Sequence, residues 1–597
     1  MNKYLKTFVV LLLILTIFNI SAIAEKPPIM MVDNIEARQQ GYAKTVFKGT
    51  QVEKFPIEII NIIEDQNLDT DMILIKASGE KIKEAGGVAS GMSGSPVYID
   101  DKLIGAISYK WQEADHRFAL VTPIIEMLNL KKDTKEVSFY NKLKAVNTPI
   151  MIGGLTGRSF DRLKNNLDIK DSRFISTSST SQKADENPKL EAGSALAVQL
   201  VRGDVSVASI GTVTLVDNND VYAFGHPFMN KGKSNYLMSK AYIEAIIPSR
   251  SQPFKIGSPM EKLLGVVESD RNAGIYGKVN KFPNIIPLTV KVEDKTLDET
   301  KEVRTQIIND EKLLGELGSS IILQTIDSTL DRIGYGTSNV SIEIMGSNLP
   351  DGKVLRENMY YSNNDIAVST LSDYYRMMDL ITKNPFKEIN IFDIKVNVET
   401  TKTHDVALIQ EAEVLNEEIY PGSKLKLNVV LRPYRSEAIS REVTIDIPED
   451  INTGRATLAI NGGYTGLPNQ REPQDDSGND VNQAVIEGYK SFDQMLKDYV
   501  EAPMNNELVL QIYPSFISRD QISTPPDNIE EDAEEEPEQE TSDSEEAITS
   551  EKPEEKPEIK KHVYTDYVLE GTLTLDFEVK NIPEDNGEKN MTEDRKQ

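Results

Sequence analysis

The sequence carries one serine in a setting that would make its hydroxyl reactive. Residues 91–96 read Gly-Met-Ser-Gly-Ser-Pro, so Ser93 has one glycine two positions before it and another directly after it. Glycines give a tight turn its conformational freedom and keep the approach to the hydroxyl open. On such a turn the amides of Gly91 and Ser93 can bind a developing oxyanion, and one such donor is worth about 10²–10³ in rate. The pattern predicts Ser93 as a nucleophile for acyl transfer.

A nucleophilic serine needs a base, and the chain has four histidines that could supply one. His226 lies between Gly225 and Pro227, directly after the apolar residues 221–224, so its ring is predicted on a turn that follows a strand. An imidazole with its ordinary pKa near 6.5 suits a general base at neutral pH. A single histidine is more often structural than catalytic, and His116 is a second candidate in the same part of the chain.

The elements around these residues are predicted to be β-strands. Short apolar runs rich in β-branched residues alternate with turn residues from residue 30 to about 130, and again from 195 to about 279. Helical spacing appears within 312–332 and 366–378. Residues 389–460 contain strands spaced as in a small β-sandwich.

Six short stretches resemble the SpoIVB-type serine peptidase family. Gly-Gly-Val-Ala-Ser-Gly-Met-Ser-Gly-Ser-Pro at 86–96 is similar to the serine half of that family, and Ile-Gly-Thr-Val-Thr at 210–214 with Ala-Phe-Gly-His at 223–226 is similar to its histidine half. The other stretches that resemble the family are 52–60, 105–107 and 274–278.

The resemblance implies a trypsin-like module of two β-barrel-like halves, with Ser93 as nucleophile and His226 as general base. It also implies a protein or peptide substrate, cleaved through an acyl-enzyme, with self-cleavage as one outcome of that activity. The expected fold is mainly β, with this two-barrel module followed by an α+β region and a β-sandwich-like domain.

The sequence departs from the family pattern in three ways. Ser93 precedes His226, whereas the family's histidine half comes first, so the module would be permuted; triads recur in several chain orders. Ser78 occupies the position of the family's triad aspartate, fifteen residues before the serine, and no peptide-binding PDZ segment is recognised. Losing that carboxylate can cost on the order of 10⁴ in turnover. The candidates for an orienting residue are Ser78, Asp71, Asp204, Asp217 and Asp270.

Composition shifts and element patterns divide the chain into ten predicted segments. They are a signal peptide at 1–24, the serine half at 30–135, a connector with a flexible loop at 136–192, the histidine half at 193–280, an α+β accessory region at 281–385, a β-sandwich-like domain at 386–465, a loop with a C-terminal helix and strand at 466–523, an acidic disordered segment at 524–561, terminal strands at 562–580 and a disordered tail at 581–597.

The first 24 residues predict export. Lys3 and Lys6 precede an apolar run from 8 to 18, and Ala-Ile-Ala at 22–24 fits cleavage before Glu25. The run is shorter than the roughly 20 residues that span a bilayer, so no stable membrane span is expected after cleavage. The protein is therefore expected in the periplasm, the cell envelope or the extracellular space.

Several classes of function are disfavoured by composition. A net charge of −29 disfavours nucleic acid as a partner, and the absence of cysteine removes disulfides, thiol nucleophiles and thiolate metal sites. No histidine pair at ligand spacing, EF-hand loop, or Walker or dinucleotide glycine pattern occurs in a suitable setting, so no metal or cofactor is expected.

Two functions remain. The first is a secreted or periplasmic serine endopeptidase that uses Ser93 and His226. The second is a non-catalytic binding or scaffold protein of the envelope that retains the peptidase fold, an interpretation that Ser78 in the aspartate position favours.

Overall fold

A computed structural model describes most of the chain. The described residues are 27–63, 71–111, 114–132, 144–145, 148–167, 169, 173–179, 188–463, 489–514 and 559–582. The predicted signal peptide lies outside them, as do nearly all of the predicted acidic segment and most of the predicted C-terminal tail.

The first strands form a closed six-stranded barrel. The order is β4-β1-β2-β3-β6-β5, and β4 also pairs with β5, which closes the ring. The strands are β1 Gln40–Val46, β2 Val52–Ile63, β3 Met72–Ala77, β4 Pro96–Ile99, β5 Lys102–Lys110 and β6 Phe118–Pro123. The two short helices of this part are α1 Glu80–Glu84 and α2 Ile124–Asn129. Ser93 lies in the turn that enters β4.

The connector adds three short strands and a helix. They are β7 Lys144–Ala145, β8 Ile150–Gly153, α3 Gly157–Asn166 and β9 Phe174–Thr177. β7 pairs with β5 of the first barrel, and β8 pairs with β9 and with a strand of the second barrel.

A second closed ring follows. The order is β10-β13-β14-β15-β12-β11, and β10 also pairs with β11. The strands are β10 Ala195–Gly203, β11 Ser206–Asp217, β12 Asp220–Ala223, β13 Gly232–Ile247, β14 Phe254–Arg271 and β15 Gly274–Val279. His226 lies just after β12. The prediction of a mainly β, trypsin-like two-barrel module is confirmed.

The predicted α+β region extends the sheet of the second barrel through a pairing of β10 with β17. Its helices pack over one face of this sheet and share its core. The strands and helices are β16 Ile285–Asp294, β17 Glu299–Ile308, α4 Leu314–Leu330, β18 Gly336–Ser347, β19 Lys353–Ser362, α5 Ile366–Ser369, α6 Ser372–Thr382 and β20 Asn390–Thr401.

Two four-stranded sheets form the sandwich that the sequence predicted. The elements are β21 Val406–Val414, β22 Lys424–Pro433, β23 Ile439–Asp446, β24 Gly454–Gly462, α7 Phe492–Val500, β25 Glu507–Pro514, β26 Ile559–Tyr564, β27 Val568–Glu570 and β28 Thr572–Val579. The last three strands dock on β25, β21 and β24, so the chain returns to the sandwich after the acidic segment.

The boundary of the sandwich differs from the prediction. β20 falls inside the predicted 386–465 domain but pairs with β16 and β18 of the preceding sheet. Its side chains alternate between buried and exposed, which either sheet would accept, so the sequence pattern could not assign it. Within the described residues, no helix combines the length and apolar character needed to cross a bilayer.

The two barrels meet where β11 lies against the serine turn. β11 is buried on both faces over most of its length, as expected for a strand between two packed units. Gly94 makes the closest approach, because a Cβ built on it would lie 1.9 Å from the carbonyl oxygen of Thr212 and 2.5 Å from the amide nitrogen of Phe224. Its φ of +89° is also one that only glycine adopts without strain.

A fully buried lysine lies at the same junction. Lys255 of β14 is 0% exposed, and its Nζ donates to Thr45 Oγ1 at 2.8 Å. No carboxylate among the described residues forms an ion pair with it. Burial lowers the pKa of Lys255 from 10.5 to about 7, because the ammonium loses its hydration without gaining a counter-charge.

Substitution of Gly94 by alanine should destabilise the protein strongly. The left-handed backbone costs roughly 1–2 kcal/mol for a residue with a side chain, and the clash with Thr212 adds to that cost, so we expect a loss of at least about 3 kcal/mol in the free energy of unfolding. Gly352→Ala is the matched control, since Gly352 has a φ of +72° and no atom within 4 Å of a built Cβ. Equal losses in the two variants, measured by chemical denaturation, would contradict close packing of the turn on β11.

Lys255 predicts a pH dependence of stability. Between pH 7 and pH 9 the unfolded chain binds a proton at this lysine that the folded protein has largely released, so the free energy of unfolding rises with pH. Lys255→Met should stabilise the protein more at pH 7 than at pH 9, because the cost of the buried amine falls as the pH rises, and it should reduce the slope by up to about 1.4 kcal/mol per pH unit. The exposed Lys233→Met is the control and should leave the slope unchanged. Denaturation series at several pH values measure both slopes, and parallel slopes for wild type and Lys255→Met would rule out a neutral buried amine.

Candidate active site

The serine turn is a tight backbone loop shaped by two glycines. Gly91 and Gly94 have φ values of +90° and +89°. The amide of Gly94 donates to the carbonyl of Ile107 at 2.7 Å, and the amide of Ser95 donates to the carbonyl of Met92 at 2.9 Å. The glycine spacing read from the sequence therefore corresponds to two positions where a side chain would strain the backbone.

β11 holds the other side of the turn. The amide of Thr212 donates to the carbonyl of Ser93 at 2.8 Å, and its Oγ1 donates to the carbonyl of Gly91 at 3.0 Å. Thr214 Oγ1 donates to the carbonyl of Gly94 at 2.8 Å. The carbonyl groups of the turn are thus fixed by the second barrel.

The donors of the turn remain available. Among the described residues, no backbone or side-chain group accepts a hydrogen bond from the amide of Gly91 or of Ser93. Within the same residues, the buried Oγ of Ser93 has no hydrogen-bond partner. A hydroxyl beside two amides without acceptors is the combination that an oxyanion site requires.

His226 is held in one orientation by its own chain. Its Nδ1 lies 2.7 Å from the carbonyl oxygen of Pro227. Because a carbonyl only accepts, Nδ1 must carry the proton, and in the neutral ring Nε2 then presents the basic lone pair. The ring lies between Tyr109 of the first barrel and Phe224 of the second, at 6.1 Å between ring centroids in each case.

The serine turn and the histidine turn pack on the same part of β5. Gly94 hydrogen-bonds to Ile107, while a Cβ built on Gly225 would lie 3.1 Å from Ser108 Cβ and 3.2 Å from Ala106 Cβ. The structure therefore brings the two sequence motifs to one interface. The Ser93 hydroxyl makes no hydrogen bond to the imidazole in this conformation.

Both side chains are closed off from solvent. Ser93 is 0% exposed and His226 is 2% exposed. β11 and the side chain of Lys255 surround the turn, and a Cβ built on Gly91 would lie 3.1 Å from Lys255 Cδ. A peptide bond cannot reach the hydroxyl until these elements separate.

One of the candidate orienting carboxylates contacts the histidine turn. Asp270, fully buried in β14, accepts hydrogen bonds from the amides of Phe228 and Met229 at 2.7 Å each and from the Tyr236 hydroxyl at 3.3 Å. The hydrogen bonds of Asp270 thus reach the backbone that follows His226, whereas the described partner of the imidazole Nδ1 is the carbonyl oxygen of Pro227.

The other candidates have their described contacts elsewhere. Asp204 binds the amide of Arg304 at 2.8 Å in the turn after β10, and Asp217 accepts from Asn218 at the end of β11. Asp71 precedes β3, and Ser78 is exposed just after it. The structure therefore gives no support to Ser78 as a substitute for the family's aspartate.

The remaining histidines are anchored in other places. His116 Nε2 lies 3.0 Å from the carbonyl oxygen of Arg250. His404 stacks between Tyr335 and Tyr434, and His562 lies 3.2 Å from Glu507. The last two are half-buried, because aromatic and carboxylate partners cover them.

Sequence reasoning missed Lys255 and Pro227. A lysine in a strand pattern indicates an exposed position, and nothing in the sequence marks this one as buried. Pro227 contributes a backbone oxygen, which every residue has, so the only signal was its position directly after His226.

Comparison with protein families gives a match to the SpoIVB peptidase S55 model over residues 17–117. The matched region contains the serine turn and ends before His226. No curated protein and no solved structure matches the chain. The match supports a relationship to the SpoIVB-type peptidase family over residues 17–117, the region that holds the serine turn.

Proposed function

We propose that the protein is a serine endopeptidase of the SpoIVB type that cleaves peptide bonds through Ser93. The observation that carries the proposal is the serine turn, where a buried hydroxyl lies beside the amides of Gly91 and Ser93, which have no acceptor among the described residues. Protein substrates follow from the family match. Self-cleavage is part of the proposal.

The chemistry assigns one step to each group. Ser93 Oγ attacks the carbonyl carbon of the substrate while His226 Nε2 takes the hydroxyl proton, and the amides of Gly91 and Ser93 bind the oxyanion. His226 then gives its proton to the leaving amine, which departs and leaves an acyl-enzyme. Water attacks the ester with His226 again as base, and the acid product and the free serine result.

The proposal requires that the site opens. The hydrogen bonds from Thr212 and Thr214 hold the turn against β11, so a relative movement of the two barrels would expose Ser93. Movements of packed domains that admit substrate occur on the microsecond to millisecond timescale. The expected location is outside the cytoplasm, and rests on the N-terminal 24 residues.

The second candidate is a binding protein that keeps the fold without turnover. The complete burial of Ser93 and the near-complete burial of His226 favour it. In that case the module would recognise a partner through its outer surface, and the serine turn would serve only the packing of β11.

A fluorophosphonate probe separates the two. Wild type should form a covalent adduct on Ser93, and Ser93→Ala should form none. His226→Gln should lower the labelling rate by about 10²–10⁴, the usual contribution of a general base. Mass spectrometry of the intact protein and of its peptides measures both results.

Ser95→Ala is the matched control, since Ser95 is equally buried two residues along the chain and its hydroxyl likewise has no partner among the described residues. It should label like wild type. A well-folded wild-type protein that stays unlabelled over hours would contradict the peptidase proposal and favour the binding protein.

A further inference from the structure

We propose that Asp270 is a positioning residue for His226 and that it acts through the peptide group between Pro227 and Phe228. The two hydrogen bonds involved are made by the carbonyl and the amide of that one peptide group, which point in opposite directions. The expected effect of Asp270 on catalysis rests on the proposed function, whereas its expected effect on the tautomer of the imidazole does not.

The geometry forms a continuous chain of hydrogen bonds. Asp270 Oδ1 accepts from the amide of Phe228 at 2.7 Å, and the carbonyl oxygen of Pro227 lies 2.7 Å from His226 Nδ1. The carbonyl of residue 227 and the amide of residue 228 belong to the same planar, trans peptide. Fixing the amide on the carboxylate therefore fixes the direction of the carbonyl.

Asp270 is suited to this role because only donors surround it. The amides of Phe228, Met229 and Lys231 and the hydroxyl of Tyr236 all point at its oxygens. Burial raises the pKa of Asp270 above its ordinary value, and these hydrogen bonds limit that rise. Because a protonated carboxyl would place its own hydrogen against one of these donors, we take the ionised form as the one that the site holds.

A charge on one side of the peptide strengthens the acceptor on the other. An anion at the amide polarises the peptide group, and its carbonyl becomes a better partner for Nδ1–H. The arrangement fixes the tautomer whose Nε2 is basic, which is the task that the triad aspartate performs by direct contact. Tyr109 and Tyr236 are the titratable groups that face His226 and Asp270, and burial raises the pKa of both, so they stay neutral near pH 7.

The chain contains a matched control for the carboxylate. Asp294 is also fully buried and also accepts two backbone amides, those of Thr296 at 2.8 Å and Leu297 at 3.2 Å, in the turn between β16 and β17. No histidine is hydrogen-bonded to that turn among the described residues. Asp294→Asn should therefore disturb a buried turn capped by an aspartate without affecting the chain of hydrogen bonds from Asp270 to His226.

The test is nitrogen-15 NMR of the full chain labelled at histidine, with resonances assigned by substitution of each of the four histidines. In wild type, His226 should be a single tautomer protonated at Nδ1. Asp270→Asn should convert it to a mixture or to the Nε2-protonated form, and Asp294→Asn should leave it unchanged. Among proteins of equal folded fraction, fluorophosphonate labelling should fall at least tenfold in Asp270→Asn and should not fall in Asp294→Asn.

Two results would overturn the inference. The first is an Nε2-protonated His226 in wild type, which needs no variant to fold. The second is a tautomer that Asp270→Asn leaves unchanged or that Asp294→Asn shifts equally. If Asp270→Asn changes the tautomer, Asp294→Asn does not, and the probe never labels the wild-type protein, the positioning role of Asp270 is supported and the peptidase proposal is contradicted.

Discussion

The whole candidate site depends on the contact between β11 and the serine turn. Three hydrogen bonds from Thr212 and Thr214 fix the carbonyls of Gly91, Ser93 and Gly94, and only a residue without a Cβ fits at position 94. Since β11 is a strand of the second barrel and leads through β12 to His226, the same contact sets the position of His226 relative to Ser93. It also closes the site, so the interface that assembles the chemistry is the one that must open.

In the proposed mechanism, backbone atoms take over the task of the family's triad aspartate. Ser78 is exposed beyond β3 and has no described contact with the histidine turn. The carbonyl of Pro227 instead lies against Nδ1 of His226, and the amide of the same peptide group, that of Phe228, is bound to Asp270 forty-two residues after Phe228. This arrangement places the carboxylate in β14, and it requires that β13, β14 and the intervening loop fold correctly before the ring of His226 is oriented.

Local features were predictable from the sequence, and long-range contacts were not. The glycines around Ser93, the strand alternation of both barrels and the sandwich could be inferred because their signals lie within a few residues of one another. The burial of Lys255, the placement of β20 in the larger sheet and the link from Asp270 to Phe228 depend on residues far apart in sequence. Single-sequence patterns carry no information on such pairings, since a lysine or an alternating strand reads the same in either environment.

The donors of the serine turn that lack an acceptor favour a turn that binds substrate over one that serves only the packing of β11. A buried donor without an acceptor costs about 1–3 kcal/mol, and here two amides and one hydroxyl share that condition at adjacent positions. A turn that served only to support β11 could satisfy these groups with a nearby side chain, as Thr212 and Thr214 already do for its carbonyls. An oxygen atom brought by a substrate would remove the cost at both amides at once. That gain would be available only after the barrels separate, so opening and oxyanion binding should be coupled.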